Sequence, residues 1–124
     1  MSKYRLVIEG HFDSAHFLNK YTGACARLHG HTWKVQVCVG GNELQENGIL
    51  FDFKLIKQEL NKFLDMLDHQ CLNDLELFKD KMNPTAENLS RVLHEKISLV
   101  LPAGIEIIWV RVWESPTAYC EYDS

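Results

Sequence analysis

A chain of 124 residues, 46% hydrophobic and 24% charged, has the composition of one soluble globular domain and leaves no room for a second core. Its formal net charge of -4 argues against a general nucleic-acid binder, which needs a basic face, but permits an anionic small-molecule substrate served by a few local cations such as Lys20 and Arg27. No apolar run approaches a membrane span, Met1–Arg5 leads into no signal-peptide core, and Cys25, Cys38, Cys71 and Cys120 form no Cys-x-x-Cys pair, so a membrane-free life in a reducing cytoplasm is expected.

Residues 3–16 predict a first strand in which Leu6, Ile8, Phe12 and His16 share parity, and Gly10 in its middle predicts a bulge. The segment from Phe17 to Leu28 connects to a second strand over about 28–40, where Thr32–Val39 alternates bulky apolar with polar or small side chains until Gly40-Gly41-Asn42 breaks it. Phe53, Ile56, Leu60, Phe63, Leu64 and Leu67 then recur at helical spacing behind Asp52, a fitting cap. A second helix opens at Asn83-Pro84-Thr85, with proline suited to the first helical position and Asn83 or Thr85 to the cap. Its predicted buried stripe is Leu89, Val92, Leu93, Ile97 and Val100, and Pro102-Ala103-Gly104 ends it.

Ile105–Glu114 reads as a third strand, apolar on both faces: Ile105, Ile107, Trp109 and Trp113 on one, Ile108, Val110 and Val112 on the other. So short a chain cannot easily cover both faces itself, which points to an oligomer. Ser115-Pro116-Thr117 turns the chain into a fourth strand over Ala118–Tyr122. The order strand, strand, helix, helix, strand, strand is that of an α+β layer with an antiparallel sheet, one domain over residues 1–124.

The chemistry concentrates at Cys25-Ala-Arg-Leu-His29-Gly-His31. Side chains two apart in a strand share a face, about 6.5 Å apart, so His29 and His31 project together. If the first two strands form a hairpin, His16 joins them, and three imidazole nitrogens with a fourth position open is the pattern of a catalytic zinc. Other readings stand beside this one. His-x-His also occurs on ordinary strands, and Cys25 is either a small buried hydrophobe or a fourth ligand that would close the site. His11, His69 and His94 read first as packed or solvent-tipped side chains. Asp68-His69 either finishes the first helix or forms a carboxylate-oriented base, and Glu114 is either a surface strand terminator or an acid that grips a ligand.

Six segments together resemble the 6-pyruvoyltetrahydropterin synthase family, and within it the bacterial 6-carboxytetrahydropterin synthases of queuosine biosynthesis. They are Phe12-Asp13-Ser14-Ala15-His16, Cys25-x-x-x-His29-Gly30-His31, Gly48-Ile49-Leu50-Phe51-Asp52-Phe53, Leu67-Asp68-His69-Gln70-Cys71-Leu72-Asn73, Asn83-Pro84-Thr85-Ala86-Glu87-Asn88 and Val112-Trp113-Glu114-Ser115. The resemblance implies the tunnelling fold (T-fold): a four-stranded antiparallel sheet with two helices on one face, three subunits closing a barrel, and two trimers stacked as a homohexamer with active sites between subunits. It implies zinc on His16, His29 and His31, and a pterin triphosphate substrate. It further implies Cys25 as base or proton donor, Asp68 and His69 as the partner proton relay, Glu114 on the pterin edge, and Thr85 and Glu87 shaping the pocket. Within that resemblance, the three-residue gap from Cys25 to His29 is similar to that of the carboxytetrahydropterin enzymes, which implies a lyase that converts 7,8-dihydroneopterin triphosphate to 6-carboxy-5,6,7,8-tetrahydropterin, acetaldehyde and triphosphate. Triphosphate elimination to the 6-pyruvoyl product, or a zinc- and pterin-binding module without turnover, are the alternatives.

Overall fold

The structure is a computed structural model and describes residues 1–123. Strand β1 (Tyr4–His16) and strand β2 (His29–Gly41) form an antiparallel hairpin, paired without interruption from Tyr4 opposite Gly41 to His16 opposite His29. Beyond β2 lie β3 (Glu106–Ser115) and β4 (Ala118–Asp123), each antiparallel to its neighbour, so the sheet order β1-β2-β3-β4 follows the chain. Two helices, α1 (Phe53–Leu67) and α2 (Ala86–Ser98), complete the expected ββααββ order.

One sheet face carries the core. Ile8 and Phe12 of β1, Trp33, Val35, Val37 and Val39 of β2, and Val110 and Val112 of β3 meet Ile56, Leu60, Leu64 and Leu67 of α1 and Leu89, Leu93 and Ile97 of α2. Burying each such side chain stabilises the fold by roughly 1.5–3 kcal/mol. The helix starts are set by their caps: Asp52 accepts from the Lys54 amide at 2.8 Å and Thr85 from the Asn88 amide at 3.0 Å.

Four expectations change. Gly10 is not a bulge, since β1 and β2 stay in register past it; a Cβ there would lie 2.7 Å from Leu64 Cδ1, so the glycine is where α1 comes down onto the sheet. Pro84 precedes the Thr85 cap instead of opening the helix. α2 stops at Ser98, so Val100 lies beyond it, 42% exposed, rather than in the buried stripe. The register shifts between Cys38 and Val39, where Trp109 pairs with Cys38 and Ile107 with Val39, leaving Ile108 unpaired. This bulge reverses the side-chain parity of β3, so Ile105 and Ile107 pack on the core, while Ile108 lies over Gly40. The far face around Trp109 and Trp113 is half-buried, covered in part by this chain's own cations: Arg111 stacks 3.9 Å from the Trp109 ring centroid and Lys34 4.2 Å from that of Trp113.

The chain after α1 doubles back along the outer edge of β1. Asp68 Oδ1 accepts from the Asp13 amide at 2.8 Å, the His69 amide donates to the Asp13 carbonyl at 2.6 Å, and the Ala15 amide donates to the Gln70 carbonyl at 3.0 Å. All four cysteines are free thiols, and among the described residues no helix is long and apolar enough to cross a membrane.

Candidate active site

The hairpin register brings the three histidines together at its closed end. Ring centroids are 4.6 Å apart for His16–His29, 5.0 Å for His16–His31 and 4.8 Å for His29–His31, and one nitrogen from each lies within 4.8 Å of the other two. Trp33 closes the inner side, edge-on to His16 and His31, with its indole N–H donating to the Ser14 carbonyl at 3.3 Å.

Two of the rings have their tautomers set by main-chain carbonyls. Nδ1 of His16 lies 2.7 Å from the Pro84 carbonyl and Nδ1 of His29 lies 2.7 Å from the Arg27 carbonyl. A carbonyl can only accept, so each Nδ1 carries the hydrogen and each Nε2 keeps its lone pair. Nε2 of His16 and Nε2 of His31 are buried with no hydrogen-bond partner. Desolvation by burial lowers the pKa of both His16 and His31, outweighing the raising influence of the Pro84 carbonyl and then Glu114 at His16, and of Glu114 at His31, which favours the neutral imidazoles. Neutral, oriented, buried nitrogens without partners suit a cation, and a set of three imidazoles suits a divalent first-row metal. The residues therefore fit a metal.

Glu114, at the end of β3, lies with Oε1 3.6 Å from His31 Nε2, beyond hydrogen-bond range but beside the triangle. It stands at the strand end before the turn and beside the triangle as well. Together with Gly30, His31, Thr32, Lys34, Trp113, Ser115 and Pro116 it lines an open cleft of about 460 Å³, next to the stretch of β2 that runs on past its pairing with β3. Cys25 is half-buried in a short 3-10 turn (Ala24–Ala26) of the connecting loop, and it is not among the nitrogens that converge.

Asp68 and His69 form a second group, with Asp13, separate from the histidine triangle. Asp68 Oδ2 lies 2.8 Å from His69 Nδ1 while its Oδ1 holds the Asp13 amide, and the Asp13 amide followed by the His69 contact keeps the Asp68 pKa below the usual carboxylate range. His69 has φ 55 and its side chain is 79% exposed, so its imidazole projects out of the chain. Thr85 is occupied as the α2 cap and Glu87 is exposed in the first turn; neither lines the cleft beside Glu114 within this chain. Lys20, also with positive φ, lines a different cleft with Lys81 and Asp80, and Arg27 serves the site through its carbonyl. Sequence reasoning missed the Pro84 and Arg27 carbonyls and the Asp13 amide, because main-chain groups leave no side-chain signature.

A family model described as 6-pyruvoyl tetrahydropterin synthase matches residues 5–124. A 6-carboxy-5,6,7,8-tetrahydropterin synthase of Bacillus subtilis is 34% identical over 129 residues, covering 96% of this chain and 84% of its own length. A dihydroneopterin monophosphate aldolase of Pyrococcus furiosus is 32% identical over 112 residues, covering 90% of each chain. The solved structure of a Caenorhabditis elegans 6-pyruvoyl tetrahydropterin synthase superposes with a TM-score of 0.82 at 25% identity, over 100% of this chain and 99% of that one.

Proposed function

Because this chain belongs to the 6-pyruvoyl tetrahydropterin synthase family, we propose that it is a zinc-dependent 6-carboxytetrahydropterin synthase acting in queuosine biosynthesis. It takes 7,8-dihydroneopterin triphosphate and water to 6-carboxy-5,6,7,8-tetrahydropterin, acetaldehyde and triphosphate. The observation that carries this reading is the trio of converging histidines, two of them with unpartnered buried nitrogens, set beside a carboxylate and an open cleft. The likeness to the Bacillus enzyme, over nearly the whole chain, supports the carboxy product over the others.

Each residue has a task its chemistry suits. His16, His29 and His31 would hold the zinc, which when bound supplies Lewis acidity toward the hydroxyl oxygens of the substrate side chain. Glu114 takes the amino and ring N–H donors of the pterin as paired, charge-assisted hydrogen bonds, fixing the ring in the cleft. Cys25 is the proton handler on the side-chain carbons. His69 is the second: Asp68 holds its Nδ1–H, leaving Nε2 to take up or return a proton. Since His69 faces out of its own chain, it serves the cleft of a neighbouring subunit, as do Thr85 and Glu87 at the edge of the pocket. The assembly is a barrel trimer stacked as a hexamer, and the enzyme is cytoplasmic.

Incubation of zinc-loaded protein with dihydroneopterin triphosphate should release acetaldehyde in step with the carboxy product. A pyruvoyl product without acetaldehyde would reassign the chain to triphosphate elimination. An unchanged substrate, with zinc and pterin both bound, would leave a binding module.

A further inference from the structure

The loop that carries Cys25 has almost nothing of its own to hold it. No residue from Phe17 to Leu28 belongs to the hydrophobic core, and residues 19–24 are all exposed. Inside the loop the main-chain bonds are few: the Leu18 amide to the Cys25 carbonyl at 2.9 Å and the bonds of the 3-10 turn. Such a segment samples many positions unless it is gripped from outside.

Two asparagines do the gripping at its root. Asn73 accepts from the Phe17 amide at 3.0 Å and donates to the Phe17 carbonyl at 2.9 Å. Asn83 does the same to Asn19, accepting from its amide at 2.9 Å and donating to its carbonyl at 2.9 Å. A primary amide is the one neutral side-chain group that can pair with both main-chain groups of a residue as a neighbouring strand does, and only one of its two orientations satisfies both bonds. The two grips alternate along the chain, at residues 17 and 19, with the Leu18 amide between them joined to Cys25. Both asparagines are themselves anchored. Asn73 follows Leu72, which is fully buried, in a short turn below the Asp68-His69 pair, and the Asn83 carbonyl accepts from the Asn88 side chain of α2 at 2.8 Å. Asn83 also precedes Pro84, whose carbonyl orients His16.

We propose that Asn73 and Asn83 are positioning residues that set where Cys25 stands relative to the histidine triangle, by clamping the main chain of Phe17 and Asn19 in two bidentate amide pairs. The catalytic consequence rests on the reading of Cys25 given above; the clamp itself does not. The roots of the loop are thereby tied to the two segments that bear the other site residues, the turn after His69 and the lead-in to α2.

The test uses Asn73→Leu and Asn83→Leu, near-isosteric changes that remove both bonds, and reads alkylation of individual cysteines in the zinc-loaded native protein by peptide mass spectrometry. Cys38, 1% exposed within β2, reports global opening in the same sample. Each variant should alkylate at Cys25 at least about fivefold faster than the parent, with Cys38 unchanged and zinc content retained, and should lose kcat more than it raises KM. Cys25 labelling at the parental rate, or Cys25 and Cys38 accelerating together, would overturn the clamp. If either variant fails to fold, Asn73→Asp and Asn83→Asp, which keep the acceptor and lose the donor, should show an intermediate rise at Cys25 alone, and no rise there overturns it equally. Absence of turnover in the parent protein would sink the enzymatic reading and leave the labelling result standing.

Discussion

An unpaired ring nitrogen in a protein interior is costly, and this fold keeps two of them side by side, on His16 and His31. A bound cation removes that cost, so metal and stability are linked. Zinc at a hundredfold over its dissociation constant should stabilise the metal-free protein by about 2.7 kcal/mol, visible as a rise in Tm. His29→Ala and His31→Ala should each lose bound zinc by more than the ~10–100-fold seen when only an outer partner of a ligand is removed, and their Tm should no longer respond to zinc. Full metal content in either variant would mean that other atoms hold the ion. By contrast, His69→Ala should keep its zinc and lose turnover. A third buried imidazole has no part in this site: His94, on α2, packs edge-on to Tyr122 at 5.0 Å with Nε2 unpartnered. Burial lowers its pKa, outweighing the raising influences of the Ile108 carbonyl and the Asp123 and Glu95 carboxylates. Above pH 6.5 both folded and unfolded chains hold a neutral ring. As pH falls below 6.5 the unfolded chain takes up a proton that the folded one resists, so stability is lost until the folded pKa is passed. In metal-free protein the drop in denaturant midpoint between pH 7.5 and pH 5 should therefore be smaller for His94→Phe than for the parent, and an equal drop would show that His94 does not contribute.

At the scale of elements, α1 fits tightly where it crosses β1. Gly10→Val would place a branched side chain against Leu64 and should cost about 1–3 kcal/mol by overpacking, read from chemical denaturation. Gly30→Ala, where nothing lies within 4 Å of the added Cβ, should stay within about 0.5 kcal/mol of the parent, whatever it does to activity. If Gly10→Val is equally mild, the contact with Leu64 does not set the helix position. The pair also shows what a sequence can reveal. Both glycines interrupt strand patterns in the same way, and only the packing partner, distant in sequence, tells them apart. Alternation along β1 and β2 was legible, and with it the meeting of His16, His29 and His31, because hairpin register follows from period-two patterning and a single connection. β3 was legible only in part. Around the bulge, the run Ile107-Ile108-Trp109-Val110 has no polar residue to mark the faces, so the bulge at Ile108 was invisible and the face of Ile107 was misread. The same limit hid the Asn73 and Asn83 clamps, since an asparagine beside a turn looks like ordinary turn chemistry until its main-chain partner is known.

At the scale of the whole molecule, one chain carries two groups of candidate residues that do not meet. The histidine triangle, Glu114 and the Cys25 loop lie at the closed end of the hairpin, whereas Asp68 and His69 form their own group on the outer edge of β1 with the imidazole turned to solvent. Among the described residues the sheet order leaves the outer edge of β4 without a strand partner, and that of β1 up to Asp13, beyond which the segment after α1 bonds to it; unpaired edges are templates for another copy. The proposed reaction requires that association bring His69 of one subunit to the cleft of the next. The decisive experiment is complementation. Cys25→Ala and His69→Ala, each inactive alone, are co-expressed with different affinity tags and mixed oligomers are isolated. With random assembly, a site in which intact Cys25 faces intact His69 from another chain arises with a frequency of about one quarter, so roughly a quarter of parental turnover should return. Mixed oligomers that stay inactive would mean that Cys25 and His69 must come from one chain, and a monomer at micromolar concentration that turns over substrate would remove the need for a second chain.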